Sequence, residues 1–270
     1  MRVVHVTPYF APAFCYGGPP RSVLGLCHGL AQAGVDVEVV TTVFNGDAWL
    51  PASPPDGSVY EGVRVAYCPA SFPRRFFGAD VVPALRARLA GADLCHVHGL
   101  WNVPEWQATR LARQAGVPYV LAPRGMLHPA ARARGAWRKT VAWHLLEKRA
   151  LAGAACLHAT APEEVGILSA LFPDVRVALV PNGVDTTVPR PMGGMRGRLG
   201  IDARDPGIVF LGRLHPIKRV DLAAAAVVEL RRDHPGAHLV IAGPDEGGHL
   251  ATLRPSLAPL GTHVHVTSAP

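Results

Sequence analysis

Two cationic side chains lie in a loop that is well placed to bind an anion. Residues 212–219 follow a predicted strand, Gly207–Leu211, and precede a predicted helix, Val220–Arg232. Loops at the carboxyl ends of strands are where open α/β sheets bind their ligands. Arg213 offers a bidentate fork and Lys218 a mobile point charge, so the two can contact one pyrophosphate from two sides. The alternative is that both charges are solvated and bind nothing.

A pair of glycines, Gly17 and Gly18, precedes the first predicted helix, Arg21–Ala33. Glycine lets backbone N–H groups come close to a ligand, and a helix N-terminus favours anions. An ordinary turn between strand and helix is the commoner explanation of such a pair. The spacing matches neither the G-x-G-x-x-G of dinucleotide sites nor the G-x-x-x-x-G-K-[ST] of P-loops, so neither site is predicted.

Two histidines alternate along the predicted strand Leu94–His98. His96 and His98 therefore share one face of a sheet, where both rings could bind one metal ion. The sequence shows no third ligand, so no metal site is predicted, and hydrogen-bonded structural histidines are the favoured interpretation. His98 ends the strand and can still point into a cleft.

Another loop at the same edge of the predicted sheet carries a charge. Residues 123–128 follow the predicted strand Tyr119–Ala122, and Gly125 permits an unusual turn next to Arg124. Taken alone, this loop indicates only that a charged turn enters the carboxyl edge of the sheet.

The elements that must position these loops alternate between short apolar runs and helical stretches, which is the pattern of parallel α/β layers. Residues 1–185 are predicted to form a complete doubly wound domain with seven parallel strands, and residues 45–60 a loop. The predicted strands are Arg2–Thr7, Val35–Thr42, Val63–Tyr67, Leu94–His98, Tyr119–Ala122, Cys156–Ala159 and Arg176–Val180.

A stretch rich in Pro, Gly and Arg, residues 186–206, is predicted to be a linker to a second domain, residues 207–270. That domain offers strands at Gly207–Leu211, His238–Ala242 and His263–Thr267, with helices between them. Its short length predicts an incomplete half-sheet that exposes apolar surface.

Composition narrows the class of protein further. The chain has 270 residues, and its hydrophobic content of 49% is ample for packed cores. No stretch reaches the ~20 apolar residues of a membrane helix, and the first residues do not make a signal peptide, so a cytoplasmic protein is expected. Five cysteines without C-x-x-C spacing argue against a disulfide framework or a zinc knuckle.

The net charge of +7 is concentrated in residues 124–149, where Glu147 is the only acid. Such a stretch predicts an anionic partner, either a membrane surface contacted peripherally at its inner face or a lipid-phosphate acceptor. A solvated face without a partner is an equal alternative, and no recognition motif for nucleic acid accompanies the charge. Trp137, Val141 and Leu145 are predicted to pack inward. The basic residues are Arg124, Arg132, Arg134, Arg138, Lys139, Lys148 and Arg149.

Six short motifs, in order along nearly the whole chain, together resemble glycosyltransferase family 4, the retaining transferases of the GT-B type. Each motif is modestly specific, and their shared order makes the resemblance strong. The motifs are Thr7–Pro12 with Gly17-Gly18, His96–Trp101, Ala122–Leu127, Pro181–Asp185, Gly212–Arg219 and Ile241–Pro244.

The resemblance implies a GT-B fold of two Rossmann-like, doubly wound parallel-sheet domains with the active site in the cleft. The first domain would hold a glycan or lipid-linked acceptor. The second would bind a UDP- or GDP-sugar, with Arg213 and Lys218 on its diphosphate, and Gly17 and Gly18 would approach the donor phosphates from the opposite wall. No cofactor or metal ion is implied, because cationic side chains and helix dipoles stabilise the departing diphosphate.

Four further residues take roles from the resemblance. Asn182 and Gly183 would lie at the cleft or its hinge, and Arg124 and His98 are the candidate catalytic residues. Many relatives carry His where this chain has Arg124. Arginine cannot shuttle a proton at neutral pH, although it can neutralise phosphate.

A second departure from the family concerns an acidic motif of two glutamates around Gly-Phe-Gly, which in the family normally binds the ribose and the sugar of the donor. It is absent and would follow position 270, so the expectation is a C-terminally truncated second domain and a weak or inactive enzyme. A non-catalytic glycosyltransferase-like binding domain is the main alternative. A dehydrogenase is disfavoured, because the glycine fingerprint is missing.

Overall fold

The structure is a computed structural model that describes residues 1–46, 48–50, 58–69, 81–129, 131, 136–184, 194–245 and 247–267. Contacts within the chain divide it into two compact units, Met1–Asp185 and Thr186–Pro270. Each unit is built on a sheet whose strands are mainly parallel.

The strands of the first unit are β1 (Arg2–Val6), β2 (Asp36–Thr42), β3 (Phe44–Asn45), β4 (Ala48–Trp49), β5 (Ser58–Tyr60), β6 (Val63–Cys68), β7 (Leu94–His98), β8 (Tyr119–Ala122), β9 (Cys156–Ala159) and β10 (Val177–Leu179). Eight of them form one sheet in the order β10-β9-β8-β7-β1-β2-β6-β5, where each described pair is parallel except β5–β6. The predicted parallel sheet of seven strands is confirmed, with β5 added antiparallel at one edge.

Helices cover both faces of this sheet. They are α1 (Gly18–Gln32), α2 (Val81–Leu89), α3 (Val103–Gln114), α4 (Ala136–Ala142), a π-helical turn (Trp143–Glu147), α5 (Lys148–Ala152) and α6 (Pro162–Leu171). Alternate strand residues face opposite sides, so Val4, Cys95 and Val97 join one core with α2, α3, α5 and α6. On the other side, α1 packs Val23 and Cys27 into a separate cluster.

The second unit contains α7 (Met195–Leu199), β11 (Gly207–Leu211), α8 (Val220–Leu230), β12 (His238–Ala242), α9 (His249–Leu257) and β13 (Val264–Thr267). Its three strands are parallel, in the order β11-β12-β13. Leu239 and Ile241 of β12 form a core with Val220 and Val227 of α8 and with Leu253 of α9. The strand–helix alternation predicted for this unit is confirmed.

Two stretches that were expected to be irregular contain regular structure. Residues 45–60 include β4 and β5, and the predicted linker 186–206 contains α7, which ends at Gly200 in the left-handed conformation (φ +67°). Strands of two or three residues are too short to show a period of two in the sequence. Pairing with a neighbouring strand, rather than a local pattern, therefore defines them.

The apolar side chains of α4 and the π-helical turn face solvent, although the sequence predicted that they pack inward. Trp137, Val141 and Leu145 do not pack inward, because they are 70%, 52% and 70% exposed. Their spacing identifies one helix face but does not say which face meets the core. The π-helical turn buries Glu147 and leads into the buried Leu151 instead. Among the described residues, no helix combines the length and hydrophobicity needed to cross a bilayer.

Candidate functional site

Arg124 joins three parts of the first unit at the carboxyl edge of its sheet. Its Nε and Nη2 donate to Nδ1 of His98, at 3.4 and 3.2 Å. Its Nη1 donates to Oγ of Ser22 at 3.0 Å and to Oδ1 of Asn182 at 3.1 Å. One half-buried guanidinium thus brings together His98 and Asn182, two residues from separate motifs, and ties both to α1.

A left-handed turn aims this arginine. Arg124 has a φ of +53° and Gly125 a φ of +76°, a conformation that suits glycine and is uncommon for arginine. The carboxylate of Glu164, in the first turn of α6, holds the turn. It accepts hydrogen bonds from the Gly125 N–H at 2.6 Å and from the Thr160 N–H at 2.8 Å. A carboxylate at a helix N-terminus is also favoured by the helix dipole.

The contact with Arg124 sets the protonation of the buried histidine beneath it. Arginine can only donate, so Nδ1 of His98 must accept and Nε2 of His98 must carry the proton. That Nε2 lies 2.9 Å from Nδ1 of His5 and donates to it. His5 then carries its proton on Nε2, a buried atom that finds no hydrogen-bond partner among the described residues. Burial and the charge of Arg124 lower the pKa of His5 to about 3, so the ring is neutral.

The hydrogen bonds of His96 and His158 likewise fix which ring nitrogen carries the proton. Nε2 of His158 lies 2.8 Å from the carbonyl oxygen of Val180 and donates to it, so Nδ1 of His158 accepts. Its donor is Nε2 of His96, 3.2 Å away. Burial lowers the pKa of both His96 and His158 below the usual histidine value. The four rings therefore form a neutral cluster with defined tautomers.

The hydrogen bonds of this cluster agree with the interpretation of His96 and His98 as structural histidines, and the cluster also contains a third candidate metal ligand. The sequence showed no third ligand beside His96 and His98, but His5 supplies one, and candidate ligand atoms of the three rings lie within 4.8 Å of one another. These residues could hold a metal ion, although a metal would have to replace the His5–His98 hydrogen bond. His5 was missed because its place beside His96 depends on β1 pairing with β7, which local sequence does not reveal.

Two buried glutamates support the loop that follows His98. Oε1 of Glu147 accepts hydrogen bonds from the Trp101 N–H at 2.6 Å and from the Trp106 indole at 2.7 Å. Oε1 of Glu105 accepts from the amide of Asn102 at 2.8 Å. Burial raises the pKa of Glu105 to about 8 and that of Glu147 to about 7. The sequence analysis did not identify either residue as part of the site. The one feature that could have indicated Glu147 is that it is the only acid within the basic stretch 124–149.

Helix α1 begins at Gly18, three residues before the predicted start at Arg21, so Gly17 precedes the helix and Gly18 is its first residue. Gly17 is the N-cap residue with a φ of +84°, and Gly18 is exposed, with open space beside its α-carbon. Pro19 and Pro20 follow in the first turn and carry no N–H, so this helix start offers fewer donors to an anion than most. The predicted phosphate contact would therefore depend on the glycine backbone and Arg21.

In the second unit, Arg213 and Lys218 both lie in the loop after β11. Arg213 is half-buried, and Lys218 is exposed at the end of a short 3-10 turn, Pro216–Lys218. The start of this loop runs against the loop after β12, because a Cβ added to Gly243 would lie 2.0 Å from the carbonyl oxygen of Gly212. The expected approach of Gly17 and Gly18 to the same diphosphate stays a prediction.

Known proteins are similar to this chain in sequence and in fold. The profile of the family described as Glycosyl transferase 4-like domain matches residues 17–183. D-inositol 3-phosphate glycosyltransferases from Nocardia farcinica, Frankia alni and Acidothermus cellulolyticus are 29%, 31% and 30% identical over 91%, 86% and 100% of this chain. The alignments cover 58%, 61% and 64% of those proteins, so the chain spans about three fifths of their length.

Two solved structures resemble the whole chain. The sucrose-phosphate synthase from Thermosynechococcus elongatus matches with a TM-score of 0.72 at 17% identity, over 100% of this chain and 70% of that one. The Anabaena protein HepE, in complex with UDP-glucose, matches with a TM-score of 0.71 at 15% identity, over 100% and 69%. This likeness confirms the predicted α/β fold class of the GT-B type. Because the family profile covers more than half of the chain and includes His98, Arg124 and Asn182, the chain belongs to the glycosyl transferase 4-like domain family.

Proposed function

We propose that this protein transfers a sugar from a UDP- or GDP-sugar to a glycan or lipid-linked acceptor, with retention of configuration and without a metal ion or cofactor. The observation that carries the proposal is the position of Arg124. It is a cation at the carboxyl edge of a doubly wound parallel sheet, which is where such sheets bind ligands. It also lies within the residues that match the glycosyltransferase family.

The donor diphosphate would bind to the loop after β11. Arg213 and Lys218 supply two cations there, and preorganised positive charge can stabilise a departing diphosphate in place of a metal ion. A nucleotide-sugar donor is further supported by the fold neighbour HepE, which was solved in complex with UDP-glucose.

Arg124 would neutralise an anionic group of the acceptor or the donor rather than carry a proton. Relatives of this chain are named for D-inositol 3-phosphate, a phosphorylated acceptor, which supports an anionic acceptor here. His98 is 1% exposed and has both ring nitrogens in hydrogen bonds within the protein. Its role would be to position Arg124, with Asn182 as the second support.

Calorimetric titration of the chain with UDP and with GDP tests the donor site. We expect one of the two to bind, and Arg213→Ala and Lys218→Ala each to weaken it about 30-fold, the low end for removing a charged partner from a ligand. Arg232→Ala is the matched control, because Arg232 is an exposed arginine of the same unit that pairs with Glu229. Its affinity should equal that of the parent.

Failure of the parent to bind either nucleotide would contradict the donor assignment. Unchanged affinity in both variants would move the diphosphate site away from this loop. Release of free sugar from a panel of sugars linked to whichever nucleotide binds, measured in parallel, separates an enzyme from a glycosyltransferase-like binding domain, because the latter binds donor without consuming it.

A further inference from the structure

Large apolar side chains lie in solvent on one face of α4 and the π-helical turn. Trp137, Val141, Leu145 and Leu146 are 70%, 52%, 70% and 41% exposed. The first three follow a spacing of four residues, which places them along one side of a helix. Contiguous exposed apolar groups are uncommon on soluble proteins unless they bind something. These four residues are called the apolar ridge below.

Exposed cations lie beside the Leu145 and Leu146 end of the apolar ridge. Lys148 and Arg149 are exposed on α5, and Arg110 and Arg113 are exposed on the adjacent α3. Among the described residues of α3 and of 136–152, the acids are Glu105 and Glu147, and both are 1% exposed. The described residues of α3 and of 136–152 therefore present positive charge without an exposed acid to offset it.

A groove links the ridge to these cations. It lies between α3 and the π-helical turn, has a volume of about 510 Å³, and is lined by Leu145 and Leu146 together with Arg110, Arg113 and Arg149. Nη1 of Arg113 donates to the carbonyl oxygen of Arg149 at 3.3 Å, which ties α3 to α5. Such a groove fits a phospholipid, because the guanidinium groups can bind its phosphate while its acyl chains lie along the two leucines.

We propose that this surface docks the protein onto a bilayer that contains anionic phospholipid. Residues 136–149 would lie in the plane of the interface, with the apolar ridge between the headgroups and the cations on phosphate. An amphipathic helix with a basic polar side binds membranes in this way, and tryptophan favours the headgroup level. The proposal does not depend on the glycosyltransferase activity, because it rests on a different surface from the Arg124 contacts.

Co-sedimentation of the full chain with vesicles tests this surface. We compare vesicles of phosphatidylglycerol mixed with phosphatidylcholine against vesicles of phosphatidylcholine alone, at low and high salt. We expect binding to the anionic vesicles at low salt and loss of binding at high salt, because counterions screen the attraction. The double variant Trp137→Ser with Leu145→Ser should lower the partition coefficient at least about tenfold. Arg110→Gln and Arg149→Gln should each lower it about fivefold.

Three variants serve as controls. Val59→Ser removes an exposed apolar residue and Arg232→Gln an exposed cation elsewhere, and both should bind as the parent does. Trp137→Phe keeps an aromatic side chain and should retain binding. Equal recovery with neutral and anionic vesicles, or unchanged binding of the double serine variant, would overturn the proposal. So would lipid-independent self-association that the double serine variant abolishes, since a second copy would then cover the ridge.

Discussion

At the scale of single residues, the site depends on histidines that must stay neutral. His5 and His98 are packed beneath Arg124, and burial, reinforced by the charge of Arg124, lowers the pKa of both rings. Neutral imidazole is the form that can both accept from Arg124 and donate to the next ring, so protonation would break the chain of hydrogen bonds. At this edge of the sheet the positive charge is therefore carried by the Arg124 guanidinium and not by these histidines.

We expect acid to destabilise the protein through His5. An unfolded histidine takes up a proton below about pH 6.5, whereas His5 in the folded state does so near pH 3. Between these values the unfolded state binds more protons, so the free energy of unfolding falls as pH decreases, by up to about 1.4 kcal/mol per pH unit for this group. His5→Gln should reduce that slope in chemical denaturation series. The groups that face His5 are Arg124, His96 and His98.

The control for this series is His144→Gln, which replaces an exposed histidine of the same unit. It should keep the parent's slope. Identical slopes for His5→Gln and the parent would mean that His5 does not resist protonation in the folded state.

The sequence predicted site residues correctly where a single loop motif contains them. It missed residues that reach the site only because two distant elements pack together. Arg124, His98 and Asn182 were identified from motifs, and the structure joins them. His5 lies on a strand far from β7 in the sequence, and Glu147 is a single acid in a basic helix. Their positions follow from strand order and from helix rotation, which no short window of sequence contains.

At the scale of elements, the loops after β11 and β12 are held by a close approach of two backbones. Gly243 has a φ of +150°, and the carbonyl oxygen of Gly212 lies where a side chain at position 243 would begin. A side chain at this position meets both a strained conformation and a backbone atom that cannot rotate away. The loop that carries Arg213 and Lys218 therefore depends on a glycine thirty residues further along the chain.

We expect Gly243→Ala to destabilise the second unit by at least about 2 kcal/mol, because the added methyl group overlaps a carbonyl and the φ disfavours alanine. Hydrogen exchange of the β11 and β12 amides should report the loss. Gly29→Ala in α1 is the contrasting change: nothing lies within 4 Å of its added Cβ, and it should stabilise the first unit by about 1 kcal/mol. A Gly243→Ala variant with parental exchange rates would contradict the close approach.

Element prediction was most accurate for buried parallel strands. Leu94–His98, Tyr119–Ala122 and Cys156–Ala159 have the predicted bounds, as does the helix Pro162–Leu171. Apolar runs bounded by Gly, Pro or a capping turn define such elements locally. The antiparallel β5 was missed, because a three-residue strand is defined by its partner.

At the scale of the whole molecule, both units expose apolar groups, but on different elements. In the first unit, helices bury both faces of the sheet, whereas β11 of the second unit leaves Val209 and Leu211 exposed by 62% and 73%. Both point to the same side of the strand, since strand residues alternate. The sequence-based expectation that this unit exposes apolar surface is confirmed on β11.

We expect these two residues to form one dye-binding surface of the chain, in addition to the apolar ridge of the first unit. Val209→Thr with Leu211→Thr should lower anilinonaphthalene sulfonate fluorescence and self-association measured by light scattering, because contiguous exposed apolar groups bind dyes and one another. Val59→Thr, an isolated exposed valine of β5, should change neither signal. If the double variant retains the parent's dye fluorescence, the exposed strand β11 is not a dye-binding surface.

The π-helical turn has a consequence for comparing this chain with its relatives. A turn of this kind holds one residue more than an α-helical turn without advancing the helix by another turn, so it rotates all later residues by about 100° relative to an uninterrupted helix. In this chain the rotation allows Trp143, the first residue of the turn, and Leu151 of α5 to face the same core. A relative that lacks the extra residue should show a one-residue gap between positions 143 and 147. Alignments that spread this gap elsewhere would exchange buried and exposed positions throughout α5.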